Sequence, residues 1–377
     1  MAAVFIGYSI YSQPSAEEKA ATARQDSIEN VARKNAENAA KLAAQQKIAQ
    51  AQAAAKADTT ALFHSALKGK ATNVVLKNSS VELTLNTKGG VVSKVVIKNF
   101  TDYNGNSNVT LFDSSSQSLN FALAAKEVNI NTADLYFTPS NQTDSTVTMT
   151  ATAGDGKELV INYVLGSDYM LHAKLQTVGM ANDFAPSASQ MDVQWKEMCR
   201  QQERGFTFEN RYASLTYHKV DGGTDYLSEA KSITDENIEK KIDWVAFKNQ
   251  FFSAVMIAKN NFAENSLMTS VPQEKGSGNL KQYEAKMKTF FDPSGKTPSE
   301  FDFYFGPNDF RLLKRVEAES TFGKDLEMQR LVYLGWPLFR IINRWFTIYV
   351  FDFLTGLNIN MGIVLILITM LLKFITY

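Results

Sequence analysis

Few residues of this 377-residue chain have the type and spacing that chemistry requires, and the clearest set lies on its last apolar stretch. Thr369, Lys373 and Thr376 fall at i, i+4 and i+7, which places their polar groups on one face of a helix. The surrounding run from Met361 to Tyr377 is otherwise almost wholly apolar. A lysine inside a bilayer costs about 2.5–3.5 kcal/mol on insertion scales, so it usually faces a protein interior or a watery cavity. The pattern therefore predicts a charged groove, and a lysine that snorkels to the headgroups near a helix end is the alternative.

Catalytic chemistry has little support elsewhere in the chain. The histidines His64, His172 and His218 are far apart, and the sequence contains no HExxH, CxxC, nucleophile-elbow or phosphate-loop motif. The single cysteine, Cys199, has no evident base beside it and excludes an intramolecular disulfide. We therefore predict no catalytic residue, no metal site and no cofactor.

The stretch before the apolar run predicts an amphipathic helix that lies in a membrane interface. Arg340, Asn343, Arg344 and Thr347 recur at i, i+3, i+4 and i+7 and form one narrow polar stripe. The other faces carry large apolar and aromatic side chains, among them Trp336, Leu338, Phe339, Ile342, Trp345 and Phe346. Such a helix buries its aromatic side at the headgroup boundary, so we expect Trp336, Arg340, Arg344 and Trp345 to form its interfacial contacts.

These two segments resemble the start of the conserved core of the YidC family of membrane-protein insertases. The resemblance rests on Asn360-Met361-Gly362, the apolar run, and Thr369, Lys373 and Tyr377 after an aromatic amphipathic helix. In that family the second transmembrane helix holds a basic residue, usually arginine, in a hydrophilic groove. The resemblance implies that Lys373 supplies this charge and that Thr369 lines the groove one turn earlier. Lysine keeps the charge but lacks the planar fork of donors that binds a carboxylate with two hydrogen bonds.

The middle of the chain predicts strands and hairpins. Runs rich in β-branched residues begin near Asn73, and Gly154-Asp155-Gly156 separates two of them as a hairpin turn. About a dozen or more short strands over about 240 residues predict a mainly β fold, a β-sandwich. The charged stretch 203–240 is predicted to be a long surface loop. Asp309 is predicted to cap a helix from Phe310 to about Ser320, and a second short helix is predicted from Lys324 to Val332.

The resemblance to the YidC family covers nearly the whole chain. It recurs at Asn86-Thr87-Lys88-Gly89-Gly90, Ser167-Asp168-Tyr169, Asp243-Trp244-Val245-Ala246 and Tyr304-Phe305-Gly306-Pro307. It implies a large periplasmic β-sandwich similar to galactose mutarotases, followed by short C-terminal helices, the amphipathic interfacial helix and a truncated transmembrane helix.

Six segments result from these patterns. The predicted segments are a truncated first transmembrane helix (1–12), an Ala/Gln/Lys-rich tether (13–60), the periplasmic β-sandwich (61–308), helices that pack on it (309–332), the interfacial helix (333–354) and the start of the second transmembrane helix (358–377). For the first segment, the remnant of a signal peptide is the alternative, because its apolar stretch is short.

The family resemblance implies an insertase and chaperone, not an enzyme, that is a multi-pass protein of the bacterial inner membrane with its large domain in the periplasm. Its expected partners are nascent membrane proteins, the Sec translocon and its accessory subunits, the ribosome through parts absent from this chain, and membrane lipids. The 39 basic and 39 acidic residues balance, which gives no sign of a nucleic-acid partner.

Two other classes of function stay open at this stage. The first is a membrane-anchored periplasmic protein that binds carbohydrate or peptide in a cleft lined by Trp195, Tyr212, Tyr217 and Trp244. The second is a mutarotase-like sugar epimerase in which His172 and His218 meet across a sheet.

Overall fold

A computed structural model of the chain describes residues 61–227, 233–318, 320, 322–332, 346–357 and 359–376. Segments 1–12 and 13–60, and the predicted interfacial residues Trp336, Arg340, Arg344 and Trp345, lie outside these residues. The chain divides into two compact units, Met1–Leu67 and Lys68–Tyr377, and the fold below is that of the second unit.

Strands dominate the described residues. They are β1 (Asn73–Lys77), β2 (Val81–Asn86), β3 (Val91–Lys98), β4 (Asn108–Phe112), β5 (Gln117–Ala124), β6 (Asn129–Asn131), β7 (Thr138–Ser140), β8 (Thr146–Gly154), β9 (Lys157–Leu165), β10 (Met170–Val178), β11 (Gln190–Arg200), β12 (Ser214–Lys219), β13 (Thr224–Tyr226), β14 (Thr234–Ile238), β15 (Ile242–Lys248), β16 (Phe252–Phe262), β17 (Ser266–Pro272), β18 (Asn279–Phe290) and β19 (Ser299–Pro307).

Burial along the strands explains why they form layers. In β2 and β11 buried and more exposed residues alternate, so each of these strands turns one face to the core. Every residue of β15 is buried, which means that this strand is covered on both faces.

Two sheets build the domain. The smaller has the order β1-β2-β3-β4, and the larger has fifteen strands. One half of the larger sheet contains β5, β11 and β18, and the other contains β9, β10 and β19. Strand β16 lies between the halves: it pairs with β19, and it meets β18 at the single pair Phe262 and Thr289.

The two halves of the larger sheet pack face to face. Trp195 of β11 stacks on Phe247 of β15 with ring centroids 4.0 Å apart. Phe121 of β5 packs against Phe301 of β19 at 5.3 Å, although several strands separate these two along the sheet. The predicted mainly β sandwich is thereby confirmed.

Four α-helices lie within the described ranges: α1 (Phe206–Tyr212), α2 (Phe310–Ala318), α3 (Ile348–Gly356) and α4 (Met361–Thr376). Asp309 caps α2 as predicted, because its Oδ1 accepts the Leu312 N–H at 2.7 Å. Helix α4 has 16 residues. Among the helices described, none is both long enough and apolar enough to cross a membrane.

Two local predictions were wrong. The stretch 203–240 contains α1 and strands β12, β13 and β14, because β12 pairs with the buried strand β15 and so lies within the sheet. The second predicted helix is a single 3-10 turn, Met328–Leu331. The Glu317 carboxylate accepts the N–H groups of Leu326, Glu327 and Met328 at 2.7, 2.9 and 3.1 Å, which fixes an irregular backbone just before that turn.

Candidate functional site

Helix α4 carries the predicted groove residues and begins at a local cap. The Asn360 Oδ1 accepts the Gly362 N–H at 2.8 Å, so a side chain satisfies one of the donors at the start of the helix. Val364 and Ile368 are buried, and most other apolar side chains of α4 are exposed, including Ile366 and Phe374. A helix that exposes apolar side chains in this way has a surface suited to contact with lipid or with other apolar helices.

Thr369 and Lys373 lie one turn apart and are both exposed. The Thr369 hydroxyl donates a hydrogen bond to the Leu365 carbonyl at 2.7 Å, within its own helix. Because this bond uses the hydroxyl proton, the oxygen remains able to accept a hydrogen bond. The two side chains thus form a short polar strip beside the buried residues Val364 and Ile368.

Helix α2 connects the sandwich to α3. Its buried residues Leu312, Leu313 and Val316 pack in a cluster with Trp244 and Tyr304 of the sheet. On its exposed side, Arg311 forms an ion pair with Asp352 of α3 and lies over the Tyr349 ring, 5.6 Å from the centroid. Helix α2 therefore contacts the sandwich with one face and the apolar helical region with the other.

A buried polar cluster holds the segment that follows α2 against the sheet. The Lys324 Nζ donates to Asp243 Oδ1 at 2.8 Å and to the Ala258 carbonyl at 3.1 Å. On its other side, Asp243 Oδ2 lies 3.2 Å from His218 Nδ1. Burial by itself raises the pKa of Asp243, but the hydrogen bonds from His218 and Lys324 and the lysine charge outweigh it and lower that pKa.

Two further buried donors fix the same segment. The Trp244 indole donates to the Leu326 carbonyl at 2.7 Å, and the Lys248 Nζ donates to the Leu331 carbonyl at 3.1 Å. Residues 324–331 are therefore bonded to the sheet at several points. Spacing alone does not reveal this cluster, since His218, Asp243 and Lys324 are distant in sequence and meet only through sheet pairing and the return of the chain.

The two candidate histidines of sugar chemistry do not meet. His172 lies opposite Asp302 on the neighbouring strand. The residues at the same level on the next three strands are Ile257, Trp244 and His218. Four inter-strand spacings separate the histidines, which amounts to about 19 Å. A single sugar ring cannot contact both.

Each histidine instead has its own carboxylate. His172 Nδ1 lies 2.6 Å from Asp302 Oδ1, and this hydrogen bond raises the pKa of His172 although partial burial opposes the rise. These pairs are cross-strand contacts of the sheet.

The aromatic residues considered for a cleft are mostly core residues. Trp195, Tyr217 and Trp244 are buried, and the rings of Trp195 and Trp244 stack on Phe247 and His218. Cys199 is also buried, and burial together with neighbouring carboxylates raises the pKa of its thiol. Within the described residues, no group of three or more His, Cys, Asp or Glu side chains is placed to hold a metal ion.

The architecture is a large β-sandwich followed by the packed helix α2 and by helix α4, most of whose apolar side chains are exposed. The sequence profile of the YidC periplasmic domain family matches residues 73–349. The chain therefore belongs to the YidC family.

Named relatives agree with this assignment. A membrane protein insertase YidC from Phocaeicola vulgatus is 46% identical over 380 residues, which cover 100% of this chain and 60% of the relative. The protein of the same name from Bacteroides fragilis is 39% identical over 99% of this chain and 60% of its own length. The chain thus spans about 60% of the length of these relatives.

Solved structures of lower similarity also align. A galactose mutarotase-like protein from Lactobacillus casei is 11% identical, with a TM-score of 0.41 over 63% of this chain and 100% of that structure. A putative aldose 1-epimerase from Escherichia coli is 9% identical, with a TM-score of 0.39 over 63% of this chain and 100% of that structure. Likeness of this degree indicates nothing about activity.

Proposed function

We propose that this chain is the periplasmic and membrane-entry part of an insertase that places membrane proteins into the bacterial inner membrane and helps them to fold. The observation that carries this proposal is 46% identity over the full chain to a protein named membrane protein insertase YidC. No bond is broken in this process, so the proposed protein is not an enzyme and uses no cofactor.

In the proposed mechanism, Lys373 and Thr369 line a hydrophilic groove that the rest of the longer protein completes. A positive charge in such a groove attracts acidic or polar parts of an incoming segment, and water lowers the cost of moving them part-way across. The energy for insertion comes from the transfer of the apolar surface of the segment into lipid, about 25 cal/mol per Å². Helix α4 supports this role because its polar strip lies among exposed apolar side chains.

The proposal includes the interfacial helix and the partners. Trp336, Arg340, Arg344 and Trp345 would anchor the chain at the membrane surface, which their spacing in the sequence supports. The proposed protein is multi-pass, its sandwich lies in the periplasm, and it acts on nascent membrane proteins alone or with the Sec translocon and its accessory subunits. The sandwich serves as a docking platform for these partners.

The decisive experiment depletes the native protein from cells and scores insertion of a small membrane protein that has an acidic translocated tail. Full-length wild type, Lys373→Arg and Lys373→Ala are compared as replacements. We expect Arg to restore insertion and Ala to reduce it about tenfold or more, since a charge-assisted contact contributes about 1.5–3 kcal/mol.

Matched changes at Thr369 test the hydroxyl of the second groove residue. Thr369→Ser keeps a hydroxyl and should insert normally, and Thr369→Val should insert less well. Normal insertion of every substrate by Lys373→Ala would refute the role of Lys373. Normal insertion after depletion without any replacement would refute the insertase proposal itself.

A further inference from the structure

A cleft of about 710 Å³ opens where the small sheet, the loops of the large sheet and helix α2 meet. Phe100, Phe251 and Leu312 form apolar parts of its wall, and Phe251 is 44% exposed. Phe100 packs edge-on against Phe252 at 5.3 Å, which fixes the aromatic wall. A cleft of this size accommodates a small molecule or the headgroup of a larger one.

Charges of both signs line the cleft and come from different elements. Arg311 and Arg315 come from α2, whereas Asp168 comes from the β9–β10 loop and Glu203 follows β11. A third carboxylate of the lining, Asp309, caps α2 and accepts the Leu312 N–H. In the described part of the chain, Arg315 and Asp168 have no partner in an ion pair. Arginine binds phosphate through paired N–H donors, and carboxylates accept hydrogen bonds from an ammonium group.

The position of the cleft brings it near the apolar helices. Arg311, which lines the cleft, is held by Asp352 and by the Tyr349 ring of α3. The next helix, α4, exposes most of its own apolar side chains. If α4 lies in lipid, as the proposed function requires, this end of the cleft borders the layer of lipid headgroups.

We propose that this cleft binds the phosphoethanolamine headgroup of a bilayer lipid. The phosphate contacts Arg315 with support from Arg311, the ammonium group faces Asp168 and Glu203, and the glycerol and first methylenes lie along Phe251. One small group that carries both charges matches a cleft that offers two arginines from α2 and the carboxylates Asp168 and Glu203 from its loops. The proposal rests on the membrane location in the proposed function, and it adds a lipid-specific contact that anchors the sandwich at the membrane surface.

The test measures lipid retention by the 377-residue chain in detergent with native mass spectrometry. Phosphatidylethanolamine, phosphatidylglycerol and phosphatidylcholine with identical acyl chains are added singly and in competition. We expect phosphatidylethanolamine to be retained about tenfold more strongly than phosphatidylcholine, whose methylated ammonium has no N–H to donate. Arg315→Gln should weaken retention of phosphatidylethanolamine, and Asp168→Asn should abolish its preference over phosphatidylcholine.

A control pair on the outer surface of the sandwich is available. Asp192 and Lys288 form an exposed contact at 3.8 Å, so Asp192→Asn and Lys288→Gln change the same charges away from the cleft and should have no effect. Equal retention of the three lipids, or retention unchanged by both cleft variants, would overturn the proposal. An apolar peptide is added to the same assay as a further ligand. If its retention, and not that of the lipids, changes in the cleft variants, the occupant is a polypeptide and the proposal is also overturned. Because the assay contains no insertion step, its failure is distinguishable from failure of the insertase proposal.

Discussion

Asp243 shows how one buried carboxylate holds two parts of the chain together. It accepts hydrogen bonds from Lys324 and His218, which come from the segment after α2 and from β12. The side chains of Asp243 and Lys324 are 6% and 21% exposed, so loss of one charge would leave the other largely shielded from water without its charged partner.

Asp243→Asn should destabilise the protein by about 3 kcal/mol, because it leaves the Lys324 ammonium without its charged partner. Equilibrium denaturation in urea, analysed for the sandwich, measures the change. Asp192→Asn, at an exposed position, serves as the control and should change the free energy of unfolding by less than about 0.5 kcal/mol. A loss at Asp243 no larger than that of the control would contradict a stabilising cluster.

The difference in the free energy of unfolding between wild type and Asp243→Asn should depend on pH. The pKa of Asp243 is lowered in the fold from its ordinary 3.8, so its contribution is present above about pH 4 and is lost as pH falls through the lowered pKa. The difference between wild type and Asp243→Asn should therefore be constant from pH 7 to about pH 5 and shrink below pH 4. A difference that grows on acidification would contradict this assignment.

The pKa of Glu209 is shifted in the opposite direction to that of Asp243, and its effect on stability has the opposite dependence on pH. It is buried in α1, and burial raises its pKa to about 7, although the N–H groups of Gln202 and Glu203 donate to its carboxylate. The folded state therefore binds more protons than the unfolded state between about pH 4.5 and 7, and the free energy of unfolding falls as pH rises through this range. Glu209→Gln should lack this component, and the exposed neighbour Glu203→Gln should retain most of it, because the charge of Glu203 raises the pKa of Glu209 less than burial does. Parallel slopes for wild type and Glu209→Gln would contradict the prediction.

Among elements, helix α2 illustrates dependence on tertiary packing. It has only nine residues, too few for a stable isolated helix, so its apolar side against the sheet must hold it in place. The polar cluster around Asp243 fixes the chain immediately after it. We infer that α2 and residues 324–331 act as one packed unit on the sheet.

Leu313→Ala should lower the free energy of unfolding by about 2–5 kcal/mol, since Leu313 lies on the buried side of α2 and is fully buried. Amide hydrogen exchange should then speed up in α2 and in residues 326–331 together, because both pack in the same cluster. Leu267→Ala, at a position that is 52% exposed, is the matched control and should leave exchange there unchanged. Faster exchange confined to α2 would show that the two segments are independent.

The sequence predicted those elements whose signals are local. The β-branched runs became strands and Asp309 became a cap, because alternation and capping depend on neighbouring residues. The prediction was wrong for 203–240, where a polar stretch contains the buried strand β12. It was also wrong for 324–332, where the backbone is held by the side chain of Glu317, which precedes this segment. The groove residues Thr369 and Lys373 were found from helical spacing, whereas the cluster around Asp243 depends on contacts between residues far apart in sequence.

At the scale of the whole molecule, α2 contacts both the sandwich and the apolar helix α3. Its contact with α3 is made by Arg311, which pairs with Asp352 and lies over the Tyr349 ring. Both charged side chains are substantially exposed, at 56% and 41%, so their ion pair contributes little to stability. Its effect should be to restrict the relative positions of the two regions.

Arg311→Gln should therefore broaden the distribution of distances between the sandwich and α3 without a measurable change in thermal stability. Spin labels are attached at Lys288→Cys on β18 and Phe353→Cys on α3, both at exposed positions. Pulsed electron paramagnetic resonance then measures the distance between the labels in phosphatidylethanolamine-containing nanodiscs. The buried Cys199 is replaced by serine in all samples. Lys314→Gln removes a neighbouring exposed charge of α2 and should leave the distribution narrow. If both variants give the wild-type distribution, Arg311 does not restrict the orientation and the packing of α2 on the sheet is sufficient.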